Sequence, residues 1–404
     1  MAGEGLQAVI VADDLTGAMD AAAPFARRGL DVRVLTSPDR LETVLKNLPS
    51  VLSINTGTRH LSEQKAAALV GTLFGDLVRL KPQLLFKKID STLRGNLLAE
   101  TLAAMQASGY SQMLICPAVP AQGRTLAGGK LYIDGILLHE TIIGRDLRAP
   151  PPRTPLPELY QVALQQTPIK VEAVAAWQVA RGHDLRPRVS IVDAESSEQL
   201  SRIAVTAVES RAQILFVGAA GLTEALAEVM FDAEAPAAAP EPLPGIFLFV
   251  VGSRTRETAD QVEILIEANP GTLVAELTGP RPLDPADLQP LPASGQHPAV
   301  VVLRAPRETC CSEQDPDQVA RALAESTARL LARNTTGLLV ATGGDTALAV
   351  LNELGVEVIQ VCGEIMPGIV HGLIDTRQGR LRLVTKAGGF GDKQLFCTVV
   401  DYFK

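Results

Sequence analysis

The feature that most constrains this chain is a regular alternation of two kinds of segment. In the first half, short aliphatic runs are separated by longer amphipathic ones. LQAVIVADD reads as a strand, LTGAMDAAAPFARRG as a helix closed by Gly29, and DVRVLT as a second strand. A helix from Pro38 to about Asn47 follows, then the strand VLSINTG and the helix SEQKAAALVGTLFGDLVRLK. The strand LLFKKID, the helix GNLLAETLAAMQAS and the strand MLICPAVP continue the pattern. Continuously apolar strands joined through helices are what a parallel sheet covered on both faces requires. The expected class is therefore α/β.

The rhythm breaks from Ala118 to about Pro157, where PAVPAQGRTLAGGK, YIDG and APPPRTPLP hold many Gly and Pro residues. Irregular stretches of this length in compact domains are often functional. It resumes in RVSIVDAE, QILFVGAAG and GLTEALAEVM. Residues 232–245, DAEAPAAAPEPLPG, read as a semi-stiff linker. A second α/β unit follows, with strands in IFLFVVGSRT, TLVAELTG, VVLRAP, GLLVATGGDT and RLRLVTKAGGFGD. The sequence thus predicts two domains, 1–231 and 246–404. Each should hold a mostly parallel sheet flanked by helices, with the active site in the cleft between them.

Composition narrows the function. Lys plus Arg is 37 and Asp plus Glu is 45, a net charge of −8, which argues against a nucleic-acid binder. A local basic pocket for an anionic small molecule stays compatible with that balance. The five cysteines are odd in number and form no C-x-x-C, so neither a disulfide framework nor a zinc site is expected. The first residues meet acid too soon for a signal peptide, and no apolar run approaches the ~20 residues of a spanning helix. A cytoplasmic protein without a membrane partner is expected. Enzymes of this class and size are often dimers, so a homodimer is a candidate.

Four segments carry candidate chemistry. Asp13, Asp14, Thr16 and Gly17 lie where the first strand meets the first helix, at the kind of strand end where α/β sheets bind ligands. Adjacent carboxylates there repel unless something binds them; they could hold hydroxyls, coordinate magnesium or act as a base. The plainer reading is that one caps the helix and the other is solvated. The second segment, KKIDSTLRGN, places Lys87, Lys88, Asp90, Ser91, Arg94 and Asn96 between a strand and a helix. Arginine there can grip a carboxylate bidentately, and Asp90 can accept a hydroxyl. Arg59, after the third strand, falls at the same edge. Arg59, Lys87 and Arg94 among Asp13, Asp14 and Asp90 suggest a ligand with both a carboxylate and hydroxyls, a sugar acid.

The third segment, PAVPAQGRTLAGGK, offers Gln122, Gly123, Arg124 and Lys130 in a Gly-rich loop; the alternative is a plain hairpin. The fourth is a set of three turns, GSRT (252–255), TGGDT (342–346) and KAGGFG (386–391), each after a strand and each expected before a helix. Glycines let backbone N–H groups approach a ligand, and helix N-termini favour anions. Three such turns point to a nucleotide, although none is a P-loop or a dinucleotide fingerprint. Cys362-Gly363-Glu364 and Met366-Pro367-Gly368, after another short strand, are candidates to complete that site. The five histidines show no metal-ligand spacing; His139 stands out only because it lies in the irregular stretch.

VADDLTGAMDAA, KKIDSTLRGN, CPAVPAQGRT, GSRT, TGGDT and TKAGGFGD occur in this order. Together they resemble the four-carbon acid sugar kinases, which include threonate, erythronate and 3-oxo-tetronate kinases. The resemblance runs from about residue 8 to about 396. It implies an N-terminal acid-sugar-binding domain, a C-terminal nucleotide-binding domain, and ATP-dependent phosphorylation of the C4 hydroxyl; the chemistry of phosphoryl transfer adds Mg²⁺ as an expected cofactor. It places Asp13, Asp14, Arg59, Asp90, Ser91 and Arg94 in the sugar-acid site, and Ser253, Gly343, Gly344, Asp345, Thr346 and Gly388 in the ATP site. Asp14 and Asp90 are the candidates for handling the attacking hydroxyl, with Arg59 and Arg94 on the carboxylate. A hydroxy-acid dehydrogenase would need a dinucleotide fingerprint that this chain lacks. A non-catalytic sugar-acid sensor would not need the three turns.

Overall fold

The computed structural model describes residues 5–145, 150–167, 169–175, 189–231, 241–284, 299–305 and 315–404. The chain divides into two compact units, Met1–Ala235 and Pro236–Lys404. Most of the expected linker, 232–240, lies outside the described residues, as do His183, His297, Cys310 and Cys311.

The first unit is built on strands β1 (Ala8–Ala12), β2 (Val32–Leu35), β3 (Val51–Asn55), β4 (Leu84–Lys88) and β5 (Gln112–Cys116), with β9 (Val171–Val174), β10 (Val189–Val192) and β11 (Ile214–Gly218) added later in the chain. Their order is β2-β3-β1-β4-β11-β5-β10-β9, and each pairing is parallel. The strands are aliphatic on both sides because both faces are covered: every residue of AVIVA in β1 is buried. Covering helices include α1 (Leu15–Arg27), α3 (Glu63–Leu77), α4 (Leu97–Ser108), α6 (Ser197–Glu209) and α7 (Ala220–Met230), with short α2 (Leu41–Leu45) and α5 (Leu156–Leu164) between them. From β1 the chain steps out to β2, the outermost of these strands, comes back to β3, and then crosses over β1 to β4 on its other side. The carboxyl ends of β3, β1 and β4 therefore open together at a topological switch point, the place such sheets offer a ligand.

The irregular stretch after β5 is a small antiparallel sheet, β6 (Arg124–Ala127), β7 (Lys130–Ile133) and β8 (Ile136–Leu137). The Asp193 carboxylate accepts from Gly128 N at 2.8 Å and Gly129 N at 3.0 Å, which pins the β6–β7 turn.

The second unit contains β12 (Ile246–Val251), β13 (Leu273–Glu276), β14 (Ala299–Arg304), β15 (Thr336–Thr342), β16 (Val358–Met366), β17 (Ile369–Thr376) and β18 (Gly379–Lys386). The order is β13-β14-β12-β15-β18-β17-β16. Pairing is parallel from β13 to β18, and β17 runs antiparallel to both β18 and β16. Helices α8 (Arg256–Ala268), α9 (Pro316–Leu331), α10 (Gly344–Glu353) and α11 (Leu395–Phe403) flank it. One face of this sheet buries Phe247, Phe249, Val340 and Val384 against Leu265 of α8 and Phe396 and Phe403 of α11. The strands β12, β15 and β18 are neighbours, so their carboxyl-terminal turns lie side by side.

Candidate active-site groups in the two units

At the switch point of the first unit a guanidinium sits among three carboxylates. Arg59 donates from Nε to Asp13 Oδ2 at 2.8 Å and from Nη1 to Asp14 Oδ2 at 3.0 Å, and its Nη2 lies 3.5 Å from Asp90 Oδ1. Arg94 clasps Asp90 with two bonds, Nε to Oδ2 at 2.7 Å and Nη2 to Oδ1 at 3.1 Å, and Thr92 Oγ1 donates to the same carboxylate. Asn96 Nδ2 donates to Thr58 O at 2.9 Å and Leu61 O at 3.0 Å, holding the loop that carries Arg59. Asp14 is the cap of α1, accepting from Gly17 N at 2.9 Å and Thr16 Oγ1 at 2.7 Å. Its plain and its functional readings are thus both compatible with one side chain. Asp13 is almost fully buried, and its Oδ1 has no hydrogen-bond partner among the described residues. A buried acceptor left open costs stability and has room in its bonding for one more donor.

These contacts set the charges. Burial opposes ionisation of Asp90, yet Arg59 and Arg94 overcome it and hold the carboxyl well below its usual range. Burial likewise opposes the Asp14 anion, and Arg59, Lys88 and Thr16 outweigh it, so Asp14 also falls below the usual range. Burial would lower Arg59, but Asp13, Asp14 and Asp90 raise it well above its usual value. Asp20, on α1, behaves in the opposite way: burial pushes it up, and Lys88 and Arg124 offset that only in part. Asp20 is a member of the first motif that the sequence reading passed over. The only signal was its place on the same helix as the Asp14 cap.

The structure does not bring Lys87 into this cluster. Adjacent residues of a strand face opposite sides of the sheet. Lys87 is fully buried with its Nζ 2.8 Å from Glu100 Oε2 of α4 and donates to Lys88 O. The lysine acting on the cluster is Lys88, whose Nζ donates to Ile89 O at 3.0 Å and whose charge bears on Asp14 and Asp20. Ser91 lies beside the cluster and accepts from Arg124 Nη1 at 2.7 Å; Gln122 Oε1 accepts from the same nitrogen at 2.8 Å. The third segment therefore joins the second through Arg124. His139 is exposed in a short 3₁₀ turn, Leu138–Glu140.

In the second unit the three turns converge. A Cβ on Gly252 would stand 1.8 Å from Thr346 Oγ1, so only glycine lets the first turn touch the second. Gly343 has φ 88°, a left-handed conformation, and begins α10 without any side-chain cap, which leaves the first N–H groups of that helix for another acceptor. Gly344 opens α10, Asp345 is exposed in its first turn, and Thr346 is buried. Thr255 caps α8 and bonds Gly388 O at 3.1 Å; Thr258 Oγ1 bonds the same carbonyl at 2.6 Å and Ser253 Oγ at 3.2 Å. Gln261 Nε2 donates to the carbonyls of Phe390, Gly391 and Asp392, clamping the third turn. Thr258 and Gln261 escaped the sequence reading because nothing in their helix distinguishes them from core-facing polar residues.

Two details differ from expectation. The third turn leads into a loop, not directly into a helix: α11 starts only at Leu395. Cys362, Gly363 and Glu364 lie within β16, while Pro367 and Gly368 form its hairpin with β17. That hairpin sits at the carboxyl end of β18, since Ile369 pairs with Lys386.

A parallel α/β unit with a polar, charge-balanced cluster and a second with three converging glycine turns define a two-unit α/β protein. The chain belongs to the four-carbon acid sugar kinases. Residues 8–226 match that family's sugar-binding N-terminal domain and residues 248–396 its nucleotide-binding C-terminal domain. A D-threonate kinase of Bordetella bronchiseptica is 34% identical over 96% of this chain and 95% of its own. One from Salmonella typhimurium is 28% identical over 99% of each. A 3-oxo-tetronate kinase of Cupriavidus necator is 28% identical over 96% of this chain and 94% of its own. Among solved structures, a Salmonella typhimurium protein shares the fold with TM-score 0.77 at 21% identity, over 98% of this chain and 100% of its own. A Bordetella bronchiseptica protein, a domain-swapped dimer with bound citrate, has TM-score 0.50 at 30% identity, over 99% of this chain and 98% of its own.

Proposed function

We propose that this protein transfers the γ-phosphoryl group of ATP to the C4 hydroxyl of a four-carbon sugar acid, with D-threonate the first substrate to test. The observation that carries the reading is the convergence of the three turns after β12, β15 and β18 in a chain whose relatives are tetronate kinases over nearly their full length. The nucleotide fits that cradle. Gly252, Gly343 and Gly344 keep side chains out of the way, and the uncapped start of α10 offers N–H groups to phosphate. Ser253, Asp345, Thr346 and Gly388 line or hold the same turns. Mg²⁺ belongs to the chemistry of the transfer. Among the described residues no group of three His, Cys, Asp or Glu could hold a metal. Magnesium in such sites is held by the nucleotide phosphates with one or two carboxylates and water.

The sugar acid belongs to the first unit. Asp13 offers its open Oδ1 to a hydroxyl, and Asp14 and Asp90 stand beside it as acceptors. Both are held as anions by the arginines, so they are weak bases. They suit orienting the attacking hydroxyl better than storing its proton, which is what a loose phosphoryl-transfer transition state asks for. Arg59 is engaged with all three aspartates. The carboxylate of the substrate falls to Arg94, which is a third exposed, with Ser91 beside it. A homodimer in the cytoplasm completes the reading: a 30%-identical neighbour is dimeric, and no described helix is long and apolar enough to cross a membrane.

The test is ADP production from Mg-ATP with D- and L-threonate, D- and L-erythronate and 3-oxo-tetronate. Substrate-dependent turnover with one of them is expected. Nicotinamide reduction with any of these acids would favour a dehydrogenase. Nucleotide binding with no turnover across the panel would favour a sensor.

A further inference from the structure

Lys386 closes β18, and its side chain is 1% exposed. Among the described residues it has no ion pair, an expensive state for a cation in a protein interior. Its contacts reach all three turns. Its backbone carbonyl accepts from Gly343 N of the second turn at 2.9 Å. Its Nζ donates to Gly388 O of the third turn at 2.7 Å and to Thr258 Oγ1 at 2.9 Å. Thr258 Oγ1 in turn bonds Ser253 Oγ of the first turn at 3.2 Å. The stem leans on α11, with Nζ 5.8 Å from the centre of the Phe396 ring.

We propose that Lys386 is the positioning residue of the nucleotide cradle: it ties the three turns into one surface, and its ammonium supplies the fixed positive charge that a polyphosphate needs. This deepens, and rests on, the nucleotide reading given above. A structural lysine could satisfy Gly388 O with a neutral donor just as well. What a hydroxyl or amide could not supply is a buried cation at the meeting point of three turns and two helix N-termini, all of which favour an anion.

The surroundings agree. Strands β15 and β17 contribute Thr342 and Ile369 at this level, and α11 contributes Phe396. The charged groups nearby on α8 are Glu257, which is exposed, and Asp260, whose partner is Lys393 at 3.2 Å. Asp345 lies at the start of α10. Of these only Glu257 supports the ammonium, and burial outweighs it, bringing Lys386 down to about 8. An arriving polyphosphate would favour the protonated form, so by linkage nucleotide affinity should fall as pH rises through that value.

The experiment is ADP binding by calorimetry to the full chain from pH 7.5 to 9.5, a range in which the nucleotide phosphates stay fully ionised. Wild type should bind at pH 7.5 and weaken by about tenfold or more across the range, the loss of a charge-assisted interaction. Lys386→Met keeps the stem but not the charge. It should bind about tenfold or more weakly at pH 7.5 and show no further pH dependence. Thr258→Ala cuts the link to Ser253 and leaves the charge, so it should bind more weakly yet keep the wild-type slope. Wild-type binding that is flat with pH overturns the proposal, and needs no variant to fold. Lys386→Met binding as tightly as wild type overturns it too. If wild type binds no adenine nucleotide at pH 7.5, it is the nucleotide reading itself that fails.

Discussion

Replacing Arg59 with Met tests whether the first-unit cluster is held together by one guanidinium. Arg59 is 13% exposed as a side chain and contacts Asp13, Asp14 and Asp90, which are 5%, 17% and 9% exposed. Removing one partner of a buried ion pair costs about 3–5 kcal/mol, because the other charge stays buried. Three carboxylates depend on Arg59, although Arg94 still serves Asp90, so about 4 kcal/mol at pH 8 is a fair expectation. For a unit of this size each kcal/mol moves Tm by about 2–4 °C, giving a drop of about 8–16 °C. The pH dependence is the sharper test. In the wild type, the depressed Asp14 and Asp90 carboxyls stabilise the fold above their unfolded values, and that stability is lost as pH falls through the folded ones. Without Arg59, burial dominates Asp14 and raises it, so the variant should gain relative stability as acid neutralises the group. The assay is scanning calorimetry at pH 8 and pH 5, following the first-unit transition. The difference between wild type and Arg59→Met should shrink at pH 5. A difference equal at both pH values, or below about 3 °C at pH 8, would refute the argument that these charges depend on Arg59.

Lys87→Met should lower the first-unit Tm sharply, since it strands Glu100 in the interior at a cost of about 3–5 kcal/mol. Lys87→Met/Glu100→Leu should recover most of that and leave the KM for the sugar acid within about twofold of wild type, a change worth under about 0.5 kcal/mol. A tenfold rise in KM in the stable double variant would return Lys87 to the substrate site. Gly252→Ala should destabilise the second unit by about 1–3 kcal/mol and weaken nucleotide binding, because the new methyl meets Thr346 Oγ1 at 1.8 Å. Unchanged Tm and ADP affinity in that variant would show that the two turns do not need to touch.

The two-unit α/β architecture was legible because buried parallel strands leave an aliphatic signature that helices punctuate, as AVIVA and IFLFVV do. The three glycine turns were legible for a related reason: a strand that ends in glycines is giving its backbone to something. Convergence was not legible. It depends on β12, β15 and β18 being neighbours, an order that the chain does not follow in sequence. Lys87 shows the other limit. KKID announces two lysines at a strand end, and the period of two sends them to opposite faces. Lys87 turns to Glu100 on α4, a partner beyond the reach of the motif. Asp20 was passed over because a single acid on a helix is ordinary until Lys88 and Arg124 are seen near it.

On the proposed reading, an acidic chain that handles two anions has to solve the same electrostatic problem twice, and the two units solve it differently. In the first, Asp13, Asp14, Asp20 and Asp90 face Arg59, Lys88, Arg94 and Arg124, four charges of each sign. Such a balanced cluster is assembled before any ligand arrives. Arg59 is the scaffold within it, fixing three carboxylates; on the proposed reading these carboxylates read hydroxyls, and discrimination among sugar acids falls to where their oxygens point. The second unit uses no such cluster of paired charges at its three turns among the described residues. The proposed cradle is the uncapped start of α10 beside the Thr255-capped start of α8, with one buried ammonium behind them. Dipoles of this kind attract phosphate without reading its identity, which suits a donor common to many reactions. Specificity should therefore be altered by changes around Asp13 and Asp90, and nucleotide affinity by changes around Lys386. A substitution at either place that moved both quantities together would mean that the two ligands are read by one set of residues rather than two.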